Sequence, residues 1–316
     1  MNQFTGISLQ ILQSVFVVLA APLLIGWVNI CRAWLQNRSA PSILLPYYTL
    51  AKLFHKDAVI ASHASPLFRT TPYILFGCMW LAAGIVPSLA TNLPFSPAAD
   101  IIALVAVFAL ARMFSALAAF DTGTAFGGLG ARREMLIGFL AEPAMLMTLY
   151  TAAFISGSTS LDTIVASQAH QTFSIHPSLA FAGVAFSMVL LAENGRIPVD
   201  NPATHLELTM IHEAMILEYS ARHLALIEWA QAVKLFVYMI IGFALFIPWG
   251  IANASDPAGL PLAFVALVAK LVTAGLVLAL IETLLAKFRL FIAPEFLSSA
   301  FLLAVLGMLT YFLNRT

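Results

Sequence analysis

The sequence predicts an all-α integral membrane protein: one domain, residues 1–316, built as a bundle of about eight transmembrane helices with an amphipathic helix in the first cytoplasmic loop. Three observations carry this prediction. Charged residues make up 9% of the 316 positions, where a soluble domain holds roughly 25%. Hydrophobic residues make up 61%, and mean hydropathy is +0.94. Between the apolar runs, the basic residues keep to alternate loops.

Eight runs can be drawn, at Ile7–Ile30, Pro72–Leu89, Ile101–Phe120, Met135–Ile155, Pro177–Leu191, Leu224–Pro248, Leu260–Ile281 and Leu297–Leu313. A spanning helix needs about 20 apolar residues, and the fifth run is the shortest. The first run is span-length and lacks a basic leader, so it reads as a retained helix rather than a cleaved signal. The loop after it, about 31–71, contains "PYYTLAKLFHKDAVI". There Tyr48, Leu50, Leu53 and Phe54 fall near one helical face and Lys52 and Lys56 on another. That pattern suits a helix lying in the interface, and equally one packed on a partner subunit.

The loops at about 31–71, 121–134, 192–223 and 282–296 carry Arg32, Arg38, Lys52, Lys56, Arg69, Arg132, Arg133, Arg196, Arg222, Lys287 and Arg289. The alternate loops carry no Lys or Arg, only Asp100, Asp162 and Asp256. By the positive-inside rule the basic loops face the cytoplasm. Both termini then lie outside, and the helix count is even. No internal repeat stands out, which argues against a stand-alone transporter built from inverted repeats.

Formal net charge is zero, which excludes an electrostatic footprint for nucleic acid. Cys31 and Cys78 cannot hold an iron–sulfur cluster, which usually takes four cysteines; they read as buried free thiols. No predicted span contains a histidine, so a haem ligated between spans is not expected.

Charged residues inside predicted spans include Arg112, Glu142, Lys234 and Lys270. Each costs about 2.5–3.5 kcal/mol at a helix centre on insertion scales. They should pair, face water or become neutral. Ion pairs that register helices are one reading; a proton or ion path is the other. Glu142 precedes Pro143, where a proline frees a carbonyl one turn back and lets water in. Lys270 and Glu282 share a span but are too far apart to pair directly.

The most polar stretch, "AENGRIPVDNPATHLELTMIHEAMILEYSAR", runs from Ala192 to Arg222. It holds Glu193, Arg196, Asp200, Glu207, Glu213, Glu218 and Arg222, with His205 and His212 between. Pro198 and Pro202 stop the fifth helix, so the backbone from Glu193 to Pro202 should be irregular. Irregular backbone at membrane depth must be buried in protein or line a cavity. From Ala203 the pattern turns helical. Glu207 and Glu218 then share a face, and Glu218 and Arg222 form an i,i+4 pair. His205 and His212 read as polar contacts.

This block resembles the cytoplasmic loop of the membrane subunit shared by respiratory complex I (its subunit 1) and the energy-converting hydrogenases. The residues that carry the resemblance are Glu193, Arg196, Pro198-Val199-Asp200, Glu207-Leu208 and Glu218-Tyr219-Ser220. A second stretch, "LARMFSALAAFDTGTAFGGLGARREMLIGFLAEPAMLM", is nearer the hydrogenase-4 component C and formate hydrogenlyase subunit 4 branch, at Arg112, Asp121-Thr122-Gly123, Gly130, Arg133-Glu134 and Glu142-Pro143. "LLAKFRL" after Glu282 fits as well. The first loop keeps Arg38 and Pro41 but lacks the glycines usual after that arginine, and "ATHL" stands where relatives carry extra glutamates.

The resemblance implies a non-catalytic membrane-anchor and coupling subunit of an oxidoreductase complex. Its partners would be a hydrogenase-like large subunit and an iron–sulfur subunit in the cytoplasm, with antiporter-like subunits in the bilayer. The metal centres would belong to those partners, and this chain would bind none; a quinone-reactive version is the alternative. It implies a coupling path through Glu142, Glu193, Asp200, Glu207, Glu213, Glu218, Arg112, Lys234, Lys270 and Glu282. It implies a docking face for the redox arm at Arg38, Asp121, Arg132, Arg133, Arg196 and Arg222.

Overall fold

A computed structural model describes residues 3–61, 63–95, 98–169, 177–200, 210–253, 259–286 and 292–313. Helices dominate these residues. In chain order they are α1 (Gln3–Leu35), α2 (Leu45–Phe54), α3 (Pro66–Ile85), α4 (Ile101–Asp121), α5 (Ala125–Ser156), α6 (Leu161–Ala169), α7 (Pro177–Glu193), α8 (His212–Ile216), α9 (Ala221–Phe246), α10 (Leu260–Leu284) and α11 (Ile292–Leu313). Two short strands, β1 (Ala90–Thr91) and β2 (Ala252–Asn253), pair in parallel and tie the loop after α3 to the loop after α9.

Six helices are long and apolar enough to cross a membrane: α1 from Gly6, α4, α5, α9, α10 and α11. α7 is apolar but only 17 residues long. α3 carries Arg69, Thr70 and Thr71 in its first two turns, ahead of its long apolar stretch. Together these helices coincide with the eight apolar runs of the sequence, with shifted ends.

The shifts have local causes. Ser65 accepts a hydrogen bond from the Leu67 N–H at 3.1 Å and Pro66 occupies the first turn, so α3 starts earlier than its apolar run. Thr124 caps α5 by accepting from the Gly127 N–H at 3.3 Å. α5 therefore begins ten residues before Met135, and Arg132, Arg133 and Glu134 lie on a helix, not in a loop. Gly157, in the left-handed region at φ 72°, ends it. Pro143 is accommodated inside α5 and Pro22 inside α1.

α9 runs through the centre, with Phe236 and Tyr238 fully buried. α3 and α1 pack on it, α4 bridges α3 and α5, and α11 lies against α5 and α7. The core is drawn from all of these and is continuous. α10 packs mainly on α1 and is largely exposed.

One expectation fails in the polar block. The helix does not run on from Ala203 to Arg222. α8 covers five residues, a turn follows, and Ala221 takes a left-handed backbone at φ 48° before α9 begins. Such a residue is strained outside glycine. The break separates Glu218 from Arg222, so they do not form the expected i,i+4 pair. Glu207 and His205 lie outside the described residues. α9 also starts three residues earlier than its apolar run and takes in His223, so a predicted histidine-free span carries one in its first turn.

Candidate functional site

The spacing of three α5 residues builds the site. Glu134, Gly138 and Glu142 recur every four residues, which stacks them on one helical face over about 12 Å. Arg112 of α4 lies across that face. A Cβ at position 138 would collide with its guanidinium, so glycine opens the slot. Arg112 Nη1 donates to Glu142 and Nη2 to Glu193, while Nε stands 3.5 Å from Glu134. Arg112 and Glu193 are deeply buried, at 8% and 2% exposure, whereas the Glu142 side chain is 37% exposed.

Glu193 is the last residue of α7. Lys234 of α9 donates to its carboxylate at 3.0 Å and to its backbone carbonyl at 2.6 Å. A cation at a helix C-terminus also meets the negative end of the helix dipole. One ammonium thus ends a helix and balances a buried carboxylate.

On the loop side the network reaches His212. Its Nε2 lies 3.2 Å from Glu134 and its Nδ1 3.2 Å from Asp200, which also accepts the His212 backbone N–H at 3.2 Å. Burial pushes the His212 pKa down, but Glu134 and Asp200 outweigh it and hold the pKa above the ordinary histidine value. Gly195 permits this packing: it is left-handed at φ 57°, and a Cβ there would stand 2.7 Å from the imidazole. The segment around Ile211 also rests on α5, since a Cβ at Gly130 would meet the Ile211 carbonyl at 2.8 Å, and Arg133 donates to Met210 O at 2.8 Å.

A second cluster joins α10 to α1 and to the loop. Arg32 pairs with Glu282, and Arg196 donates to the same carboxylate at 3.2 Å. Between the two clusters lies a cavity of about 430 Å³. Its apolar wall comes from α1, α2 and α3, including Ile25, Leu50 and Met79, and its polar wall includes Arg112, Glu134, Glu193 and Lys234. Glu213 and Glu228 line it too. Five buried atoms of lining residues have no hydrogen-bond partner among the described residues; Arg112 Nε, Glu134 Oε2 and His212 Nε2 face ion-pair partners, and Asn194 Oδ1 and Arg32 Nε are left over.

The remaining residues singled out in the sequence sit elsewhere. Lys270 is far from the clusters and donates to Ile247 O at 2.6 Å and Trp249 O at 2.5 Å, beyond the end of α9. Asp121 accepts the Ser65 N–H at 2.8 Å and so fixes the start of α3. Glu218, Arg222, Arg38 and Arg132 are exposed. Tyr219 and Ser220, beside Glu218, hold the first loop. The Tyr219 ring stacks on Phe68 at 3.9 Å and its hydroxyl donates to Phe68 O at 3.0 Å; the Ser220 hydroxyl donates to Val59 O at 2.7 Å. Glu134, His212, Arg32 and Glu228 enter the site although the sequence reading gave them no part in it. The four-residue spacing of Glu134, Gly138 and Glu142 was the available signal.

Chemically, the network can redistribute charge. Three carboxylates, Glu134, Glu142 and Glu193, share one guanidinium, and a guanidinium does not release its proton in a protein. Arg112 can lean toward one carboxylate or another; it cannot hand a proton between them. Among the described residues, no group of three or more His, Cys, Asp or Glu side chains is arranged to hold a metal ion.

A family model described as NADH dehydrogenase matches residues 7–313. Formate hydrogenlyase subunit 4 of Escherichia coli (strain K12) is 34% identical over 297 residues, which cover 94% of this chain and 96% of that protein. Hydrogenase-4 component C of the same organism is 31% identical over 295 residues, covering 93% and 92%. Among solved structures, a chain of the membrane-bound sulfane sulfur reductase (MBS), an archaeal respiratory membrane complex, superimposes with a TM-score of 0.81 over 98% of this chain and 99% of that one. At 19% sequence identity that likeness speaks for the fold.

Proposed function

The chain belongs to the NADH dehydrogenase family, and from that premise we propose that it is the membrane-anchor and coupling subunit of a hydrogenase-4- or formate-hydrogenlyase-like redox complex related to complex I. It is a multi-pass membrane protein and works among partner subunits. In this reading the loop block receives a cytoplasmic arm made of a hydrogenase-like large subunit and an iron–sulfur subunit, and antiporter-like subunits flank it in the bilayer. The eight helices that match the apolar runs cross the cytoplasmic membrane, with both termini outside. The metal centres belong to the arm, and this chain carries none.

One observation supports the reading above the others. The ion-pair network is continuous from the loop block, at Asp200 and His212, to Glu142 near the middle of α5. A change of charge at the arm would be felt first by His212 and Glu134. Their altered hold on Arg112 would change its share for Glu193 and Glu142, and a buried carboxylate answers a change of neighbouring charge with a change in proton affinity. Redox chemistry in the arm would thereby be linked to proton or ion translocation in the membrane.

Purification from gently solubilised membranes tests this. The chain should co-purify with the soluble arm and with membrane subunits, and the complex should evolve hydrogen. A chain that purifies alone, with activity in ion or solute transport, would overturn the proposal.

A quinone-reactive version is the second reading, favoured by the amphipathic cavity. Its volume lies within the range of about 300–1,000 Å³ common for ligand sites. The unpartnered Asn194 Oδ1 and Arg32 Nε suit the polar end of a ligand with an apolar body. In that case Met79→Trp, which fills the apolar wall, should abolish quinone reduction and spare hydrogen evolution.

A further inference from the structure

Glu142 stands near the middle of α5 and is open on one side, with 37% of its side chain exposed. It does not line the cavity. It stands three residues from Phe139 on α5, the helix on which α4 packs. The surface there is apolar: Met113 of α4 and Met135, Leu136 and Phe139 of α5 are exposed, Phe139 by 75%. Such a surface suits hydrocarbon, but a carboxylate at that depth does not, because lipid tails offer no hydrogen bond.

The charges around Glu142 sharpen the point. Glu193 has a second cation in Lys234, and Glu134 has His212. Among the described residues Glu142 has Arg112 alone, and shares it with the other two. Among the described residues, Glu134, Glu142 and Glu193 draw on Arg112, Lys234 and His212, and Glu142 reaches only the first of these. The carboxylate with the fewest partners is the most exposed of the three.

We propose that the α4–α5 seam at Glu142 is the docking face for a second membrane protein, whose spanning helix brings a lysine or arginine to Glu142 at mid-membrane depth. The inference deepens the coupling reading and rests on it for the existence of a membrane partner. Lipid accounts for the apolar rim and leaves the carboxylate bare. An apolar helix carrying one cation accounts for both. Such a helix also gives Glu142 a second cation, as Glu134 and Glu193 already have.

The test places a photo-crosslinking phenylalanine analogue at position 139 of the full chain, expressed with its complex in native membranes. Illumination should join it to a membrane-integral subunit. Peptide mapping should place the adduct on a span with Lys or Arg within one helical turn. Adducts to lipid alone, to a soluble subunit, or to a span without a cation would overturn the proposal. Glu142→Lys should abolish the adduct, and replacing the partner's cation by Glu should restore it; an adduct that survives Glu142→Lys unchanged overturns the charge pairing. Where Glu142→Lys fails to accumulate, reversing the partner's cation against the native chain gives the same reading. Redox-driven ion movement is measured on the same membranes. A partner adduct without such movement sinks the coupling reading and keeps the docking face; movement with lipid adducts alone does the reverse.

Discussion

At one end of the bundle Lys270 gives its ammonium to two backbone carbonyls, Ile247 O and Trp249 O. Toward the other end, from mid-helix to the loop block, Arg112 divides its guanidinium among three carboxylates. Other hydrogen bonds at the first end are likewise to neutral groups. Asp162 accepts the Asn92 N–H at 2.8 Å, and Asp100 accepts the Ile102 N–H at 2.7 Å and the Thr159 hydroxyl at 2.7 Å. Carbonyls and amides do not change charge, so these contacts have one arrangement. The second end pairs charge with charge in unequal numbers. Its arrangement depends on which carboxylate holds a proton. A buried charge met by neutral dipoles is a fastener; one contested by several opposite charges can be reset.

The widest test of that contrast is Arg112→Ala. It leaves Glu193 and Glu134 buried without their shared cation, a loss of about 3–5 kcal/mol. The level of assembled complex and its melting temperature should fall sharply, and Glu193→Gln in the same chain should recover part of the loss. A tolerated Arg112→Ala would erase the distinction between the two ends.

Lys270→Met comes next. Two hydrogen bonds to a charged group are lost, each worth about 1.5–3 kcal/mol before the gain from removing a buried charge. The melting temperature should drop, but the ion moved per redox turnover should stay as in the native complex. A changed ratio would place Lys270 in the coupling path, as its position in a span first suggested.

Glu142→Gln should change stability by under about 1 kcal/mol, since the side chain is half-exposed and the amide keeps its shape. Assembly should be normal. Redox-driven proton movement in vesicles should nonetheless fall, which separates a coupling role from a structural one. Normal assembly with normal movement would leave Glu142 outside both.

The smallest effect is a pH dependence. Because Glu134 and Asp200 hold the His212 pKa above its unfolded value, its contribution is complete below about pH 6.5 and is lost as pH rises through the folded value. Hydrogen exchange in residues 194–200 and 212–216, corrected for intrinsic rates, should quicken over that range. His212→Gln should flatten the response. A response that persists in the variant would place the titrating group elsewhere.

Much of the architecture was legible in the sequence. The apolar runs mark the long helices because each is a stretch that only a helix can carry through lipid. The start of α5 was hidden by Gly127, Gly128 and Gly130, which weigh against a helix locally; the Thr124 cap and close packing on the Ile211 segment override them. The end of the polar block was misread for the opposite reason. Its helical periodicity continues through Leu217–Ser220, but Tyr219 and Ser220 are held by Phe68 of α3 and Val59 of the first loop, and that tertiary contact breaks the helix. The members of the network were visible as charged residues, yet their pairing was not. Arg112 meets Glu193 across 81 positions, and Arg196 meets Glu282 across 86. Nothing in local spacing encodes such partners, and α6, short and half polar, gave no periodic signal at all.

The slot at Gly138 holds the Arg112 guanidinium where a Cβ would otherwise stand. A guanidinium keeps its proton, so in the coupling reading a shift of Arg112 from Glu193 toward Glu142 would be a rotation of a planar group, with no N–H bond broken. Heavy water slows steps in which a proton jumps between oxygens; it leaves a swinging arginine untouched. A methyl group at position 138 would act on the opposite term, hindering the swing without altering any acidity. If the coupling reading holds, the clock of the network would be steric at this one residue, since a side chain as small as alanine would already meet the guanidinium.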